Sequence, residues 1–326
     1  MLSDETLIDV SRYLVKPNER VDLTKRSTRY EGDQLDKTTS AELLEAGRAH
    51  LAELQDKLYA HNRYGVLIIL QAMDAAGKDG AVKHIMSGLN PQGVKVHSFK
   101  APTSHELDHN YLWRHYIALP ARGEIAIHNR SHYENVLIAK VHPSIVLNER
   151  LPLVEDVSAV DADFWKQRYE QINRFEQNVV ENGTVILKFF LHLSKDEQRK
   201  RFIERIDDRT KNWKFSLGDL KERAHWDKYQ RAYEEALSAT STPYAPWYVL
   251  PADNKWFTRL AIAAIMYRTV EDLNLAYPTV SEQQRSELLR AKEQLLAEDG
   301  ANNVASAKVE KPEKSEKPKG KEKKKK

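Results

Sequence analysis

The stretch QAMDAAGKDG, residues 71–80, sets Lys78 among small residues with Asp74 and Asp79 close by. It follows a strand-sized apolar run, VLIIL at 66–70, and precedes a helix predicted over 81–89. A loop of small residues between a strand and a helix lets backbone N–H groups of Ala75, Ala76, Gly77, Asp79 and Gly80 surround a phosphate, while the helix N-terminus adds partial positive charge and Lys78 a full one. The glycine-rich phosphate-loop pattern is matched in part. Gly77 and Lys78 fit it, but Ala72 stands at the first glycine and Asp79 at the serine or threonine. The plain alternative is a tight turn with an exposed lysine. Asp74 argues against that alternative, since a carboxylate inside a phosphate cradle repels the ligand unless a cation lies between them. It is therefore the expected ligand of magnesium, with manganese as the substitute. An Asx-turn closed by Asp74 on its own backbone is the competing reading, and Asp79 in a first helical turn is expected on capping and dipole grounds alone.

A second loaded strand end follows EIAIHN at 124–129, where the chain continues Arg130, Ser131, His132, Tyr133, Glu134. Arg130 is the catalytic candidate, because its planar fork can bridge two phosphate oxygens; a surface ion pair is its alternative. Asn129 stands where an acid usually helps hold a metal, and it can orient a bound water without adding charge. His128 and His132 are read as structural, since an ionised phosphate oxygen needs no base to attack a phosphoryl group. Further on, Arg201, Arg205 and Arg209 recur every fourth residue on one helix face. Lys211, Lys214, Lys221 and Arg223 then interleave with Trp213, Phe215 and Trp226, a basic segment placed to form a lid over phosphates at about 207–227. Lys83, Lys95 and Lys100 are expected to extend a positive channel for a long polyanion.

The elements that must position these residues alternate. Strand-sized runs fall at 66–70, 94–99, 124–129, 185–193 and 247–250, with helical stretches between them, including 163–181 and one starting after Ser194. Thr39 and Glu42 form a capping-box pattern ahead of an amphipathic helix to about His61. Strands alternating with helices predict a mostly parallel sheet covered on both faces, whose ligands sit beyond the carboxyl ends of the strands. Residues 1–38 are expected as an irregular arm, 39–300 as the domain, and 301–326, rich in lysine and nearly free of apolar side chains, as a disordered tail. That tail holds ten lysines and four glutamates, so the first 300 residues carry a net charge of −3 although the whole chain carries +3. An overall basic nucleic-acid binder is not what that balance implies. There is no cysteine, no 18-residue apolar run and no apolar stretch in the first ten residues long enough for a signal peptide, which predicts a soluble, cytoplasmic protein without disulfides or thiolate metal sites.

Taken in order, QAMDAAGKDG, NPQGVKVHSFKAPT, HNRSHYE, KRFIER and WKFSLGDLKER resemble the family-2 polyphosphate kinases over roughly residues 64–278. The resemblance implies an α/β/α P-loop kinase-like core similar to thymidylate kinase, a helical lid, magnesium dependence, and reversible transfer of the terminal phosphoryl of polyphosphate to a nucleotide. Carried over by motif, the phosphate-loop acid and base are Asp74 and Lys78, the arginine after the third strand is Arg130, and the helix arginines are Arg201 and Arg205. Asn129, Arg130, Lys214 and Arg223 are then expected on the nucleotide side. Many members have aspartate where this chain has Asn129; the Asn-Arg-Ser-His-Tyr-Glu form resembles the class III branch, which accepts AMP and ADP and so yields ADP and ATP. A homo-oligomer, dimer or tetramer, is implied by the family alone, and neither nucleic acid nor membrane is an expected partner. Two other readings stay open: an ATP-dependent nucleoside monophosphate kinase using the same cradle, and a nucleic-acid-binding module using the basic lid and tail.

Overall fold

A computed structural model describes residues 8–307, with side chains through residue 298. Five strands, β1 (Gly65–Ala72), β2 (Val94–Ser98), β3 (Ile125–Asn129), β4 (Thr184–His192) and β5 (Trp247–Pro251), form one sheet in the order β2-β3-β1-β4-β5, every neighbouring pair parallel. The helices are α1 (Lys37–His61), α2 (Lys78–Ile85), α3 (Ser104–Leu107), α4 (Trp113–Tyr116), α5 (Ile138–Val141), α6 (Ala162–Glu181), α7 (Lys195–Asp207), α8 (Leu217–Ala224), α9 (Trp226–Thr240), α10 (Lys255–Glu271) and α11 (Glu282–Ala307).

The alternation of side chains along β1 builds the three layers. Val66, Ile68 and Leu70 face a core shared with α1, α2 and α10, while Leu67 and Ile69 face a second core shared with α6 and α9. A fully buried aliphatic side chain contributes about 1.5–3 kcal/mol, so the middle strand is a firm base for the loop that leaves it. Register does the rest. Leu70 and Ser98 both pair with Asn129, which brings the carboxyl ends of β1, β2 and β3 into one row. The sheet is therefore the expected parallel one, with its loaded ends side by side.

Several expectations change. The N-cap of α1 is Asp36, whose carboxylate accepts from Thr39 N–H at 2.7 Å, so the helix begins before the Thr39/Glu42 pattern and absorbs it into the first turn. Helix α2 starts at Lys78 rather than at residue 81, because Gly77, at φ +105°, takes the N-cap position in a conformation that suits glycine. The described part of the N-terminal segment does more than wrap the surface: Ile8, Val10 and Leu35 enter one core and Val15, Val21 and Leu23 the other. Its Leu14 bridges to Tyr248, and Val15 N–H donates to Trp247 O at 2.8 Å, which covers the exposed edge of β5. Packing thus joins this arm to the domain, in one compact unit that ends at Tyr277 rather than at residue 300. A second unit starts at Pro278 and contains α11. Residues 301–307 of the tail expected to be disordered continue that helix, and 308–326 lie outside the described residues. Among the described residues no helix is long and apolar enough to cross a membrane.

Candidate active site

The loop after β1 is held from three sides. Its backbone turns through left-handed conformations at Ala75 (φ +63°) and Gly77 (φ +105°), the first an uncommon one for a residue with a Cβ. Lys78 folds back so that Nζ donates to Ala72 O at 2.8 Å, tying α2 to the end of β1. Within α2 the first helical acceptor bond runs from Ala81 N–H to Gly77 O, so the N–H groups of Lys78, Asp79 and Gly80 have no acceptor within the helix and remain free for a ligand. Burial pushes the Lys78 pKa down, with Asp74 opposing the shift.

From the other side of the sheet order, the backbone N–H of Arg130 donates to Leu70 O at 3.1 Å and its Nη2 meets Asp74 Oδ1 at 3.0 Å. Arg130 too sits at positive φ, +63°, a strained turn that lifts its side chain over the loop. Burial works against its charge, but Glu134 and Asp74 more than offset that. Asp74, Lys78 and Arg130 thus meet at the carboxyl ends of β1 and β3. Asn129 joins them through Asp79, Nδ2 to Oδ1 at 2.8 Å.

Helix α7 braces the loop. Arg201 was expected on phosphate, yet all five of its N–H groups are engaged: Nη1 with Ala75 O (3.1 Å) and Ala76 O (3.0 Å), Nη2 with Ala252 O (2.7 Å) and Asp253 O (3.0 Å), and Nε with Glu197 (2.8 Å). It is a buried clamp between the phosphate loop and the end of β5, with no donor left for a ligand. Arg205 keeps more freedom, lying 3.7 Å from Asp219 of α8. In the lid segment, Lys214 is exposed against Trp213, and Arg223 donates to Lys195 O (2.7 Å) and Gln198 Oε1 (2.8 Å). Lys83 is exposed on α2, and Lys100 is exposed beyond the end of β2. Lys95 does not join the site. It lies toward the amino end of β2 and is paired with Glu124 at 2.7 Å, away from the row of carboxyl ends. His128 and His132 are buried, on Ala118 O at 3.0 Å and Glu176 Oε1 at 3.1 Å.

Four residues that reasoning from sequence passed over belong here. Glu134 sits between Lys78 and Arg130, where burial raises its pKa against both cations; the Gln71 amide donates to its Oε1 at 2.9 Å and accepts from Ser131 N–H at 3.0 Å. Gln198 Nε2 holds Asp74 O at 2.9 Å, one helical turn before Arg201 on the same face of α7. Asp219 has a raised pKa, from burial first and from the Asp74 charge second. Arg259 of α10 lies against α2, its Nη2 3.4 Å from where a Cβ on Gly80 would be. The i, i+3 spacing of Gln198 and Arg201 was visible in the sequence; the other contacts are set by tertiary packing.

Asp74 offers a partly exposed carboxylate whose charge adds to burial in raising the Asp219 pKa, and two acids within electrostatic reach of one another suit a divalent cation between them. Among the described residues no three His, Asp or Glu side chains converge as a metal cage. One or two carboxylates with phosphate oxygens and water is the donor set magnesium takes, so the residues present fit that ion.

The model of one family, polyphosphate kinase 2 (PPK2), matches residues 34–278. The chain is 49% identical over 289 residues to the ADP-polyphosphate phosphotransferase of Rhodopseudomonas palustris, covering 89% of this chain and 99% of that one. It is 43% identical over 273 residues to the AMP/ADP-polyphosphate phosphotransferase of Meiothermus ruber, covering 82% and 96%. Among solved structures, the crystal structure of polyphosphate kinase 2 from Arthrobacter aurescens TC1 superposes with a TM-score of 0.76 at 39% identity, covering 86% of this chain and 95% of that one.

Proposed function

The chain belongs to the polyphosphate kinase 2 family and is a phosphotransferase, and from that premise we propose that it moves the terminal phosphoryl group of inorganic polyphosphate onto AMP and ADP, reversibly and with magnesium. The observation that carries this reading is the meeting of Lys78, Asp74 and Arg130 around the free N–H groups of the first turn of α2. The Arthrobacter structure gives the fold an independent match at 39% identity. Both acceptors are included because the relatives named for ADP and for AMP/ADP match over nearly their whole lengths.

The transfer is an in-line displacement. A phosphate oxygen of AMP or ADP forms a bond to the terminal phosphorus of the chain, the bridging P–O bond breaks, and its electron pair leaves on the shortened polyphosphate. The N–H groups of Lys78, Asp79 and Gly80 hold the phosphoryl oxygens, Lys78 Nζ leaves the Ala72 carbonyl for them, and Arg130 leaves Asp74 to span acceptor and transferring group. In a water-poor site such donors lower the barrier because they need not reorganise as charge moves. Asp74 and Asp219 would hold magnesium, which supplies charge neutralisation on the phosphates. Helix α8 and the segment before it act as the lid that excludes water as a competing acceptor, with Arg205, Lys214 and Arg223 facing the phosphates or the nucleotide when closed. With these substrates the enzyme works in the cytoplasm, as a homo-oligomer, dimer or tetramer.

The test is to incubate purified protein with magnesium, long-chain polyphosphate and either AMP or ADP, and to separate the nucleotides by chromatography. ADP and ATP formed from AMP is the expected result. ATP from ADP alone would restrict the acceptor, and no transfer unless ATP is the donor would refute the polyphosphate reading while leaving the cradle intact.

A further inference from the structure

The N-terminal arm carries an excess of positive charge that transfer at the loop after β1 does not use. Residues 12–29 hold six cations and two acids, although the first 300 residues together carry −3. They lie ahead of the segment 34–278 that the family model matches. The fold gathers five of these cations, Arg12, Arg20, Lys25, Arg26 and Arg29, around one open cleft of about 410 Å³ beside β5. Three acids share the cleft, but two are already taken, Glu19 by Arg26 at 2.6 Å and Asp22 by Lys25 at 3.2 Å. Arg29 meets Asp253 at 3.3 Å while its side chain stays 69% exposed. Arg12 and Arg20 are exposed, and among the described residues neither is in a salt bridge. Like charges gathered around one spare acid, Glu31, repel one another in the empty cleft, and a polyanion removes that cost.

The backbone that presents these cations is tied down. Val21 N–H donates to Ser238 Oγ and Leu23 N–H to Glu234 Oε1, each at 2.9 Å, and Asp253 N–H donates to Thr28 O at 2.9 Å. The cleft also stands at the active end of the sheet. Leu191 of β4 pairs with both Ala72 and Leu250, so Pro251, which lines the cleft, ends β5 level with the start of the loop after β1. β5 is two strands from β1, about 10 Å across the sheet. Asp253 joins the two regions: its carboxylate meets Arg29, and its carbonyl accepts from Nη2 of Arg201, whose Nη1 holds Ala75 O and Ala76 O. Lys255, exposed two residues past Asp253, and Arg259, one turn further on and against Gly80, continue the positive charge toward the loop.

We propose that the cleft on the N-terminal arm is a second binding site for inorganic polyphosphate, holding the distal part of a long chain whose reacting end is at the loop after β1. The proposal rests on the donor reading above and adds a dependence on chain length. Tripolyphosphate is engaged at the loop alone, whereas a long chain also fills the cleft. Polyphosphate suits the cleft better than a nucleic acid, because no face is left to stack a base. Tyr13, the one aromatic residue that lines it, packs on Phe257 at 5.5 Å and lies under Arg12.

The experiment measures kcat and KM of the full chain for long-chain polyphosphate and for tripolyphosphate, at saturating ADP, in three forms: wild type, Arg12→Glu with Arg20→Glu, and Arg12→Lys with Arg20→Lys. The charge reversal is expected to raise the long-chain KM about five- to twentyfold, with the tripolyphosphate KM changed by less than about twofold and kcat unchanged, since the loop lies about a screening length away. The lysine pair is expected to match the wild type, because the cleft supplies surface charge. Melting curves identify any variant that fails to fold. The wild type gives a second reading that needs no variant: its long-chain KM should climb more steeply with salt than its tripolyphosphate KM, and equal slopes would overturn the cleft. An unchanged long-chain KM in the folded reversal variant would overturn it while leaving the donor reading standing, and an equal rise for both donors would place the effect at the loop and overturn it too. A wild type that transfers from neither donor would overturn both readings.

Discussion

Replacing Arg201 with lysine distinguishes a phosphate ligand from a clamp. Lysine keeps the charge, so if Arg201 met polyphosphate directly the variant would be folded as before and impaired mainly in its KM for polyphosphate. The structure requires something else. Five N–H groups serve four backbone carbonyls and Glu197, and an ammonium has three donors in a non-planar arrangement. At least two acceptors lose their partner, and at about 1–3 kcal/mol for each buried group left unpaired the variant should lose about 2–6 kcal/mol. For a domain of this size that is a fall in melting temperature of about 5–20 °C. Because Ala75 and Ala76 are among the carbonyls released, the loop should also shift, and displacement of reacting groups by about 1 Å costs on the order of a hundredfold in rate. Thermal unfolding followed by circular dichroism, with kcat and KM for both substrates, reads both effects. A variant that melts with the wild type and shows only a raised KM for polyphosphate would refute the clamp.

Asp74→Asn should raise the magnesium concentration for half-maximal rate about tenfold or more, because magnesium relies on carboxylate oxygens from the protein; an unchanged magnesium titration would put the ion elsewhere. His128 is buried with its pKa pushed down to about 3 from an ordinary 6.5. The folded state therefore stays neutral there while the unfolded chain takes a proton, and stability present above about pH 6.5 is lost as pH falls, by up to about 1.4 kcal/mol per unit from this group. His128→Phe should flatten the acid limb of a urea-unfolding series by that amount, and parallel pH slopes would contradict it. Lys188 is fully buried on Glu176 (2.6 Å), Tyr133 Oη (2.9 Å) and Thr240 O (2.7 Å). Lys188→Met should cost about 3–5 kcal/mol by stranding the Glu176 charge, and Lys188→Met with Glu176→Leu less than that. Equal losses by urea unfolding would mean the charge is not what makes the single change costly.

How much of this was legible in the sequence depended on whether a residue acts through its neighbours in the chain or across the sheet. The five strands were readable because a parallel sheet covered on both faces demands short continuous apolar runs, and these are of strand rather than helix length. The loop after β1 was readable because its geometry is local: small residues, a glycine at positive φ and a lysine must be consecutive for N–H groups and charge to converge. Arg201, Lys95 and Glu134 were harder for one shared reason. Periodicity assigned Arg201 to a helix face, but only the approach of Ala252 and Asp253 from the end of β5 shows that its donors are consumed. Lys95 looked like part of a channel until the register put it opposite Ala126, toward the amino ends of the strands and beside Glu124. Glu134 stood in view three residues past Ser131, and its importance follows from a lysine that arrives from α2. Net charge misleads for the same cause. A cation in a sequence is a candidate for an anion site only while its donors are free, and in a folded domain carbonyl oxygens from distant segments compete for those donors as effectively as a carboxylate does. Under the proposed function, the cations near the loop best able to turn to phosphate are those whose partners are weak or movable, among them Lys78 on a single short carbonyl contact, Arg130 on an acid that a metal can claim, and Arg205 at 3.7 Å from Asp219.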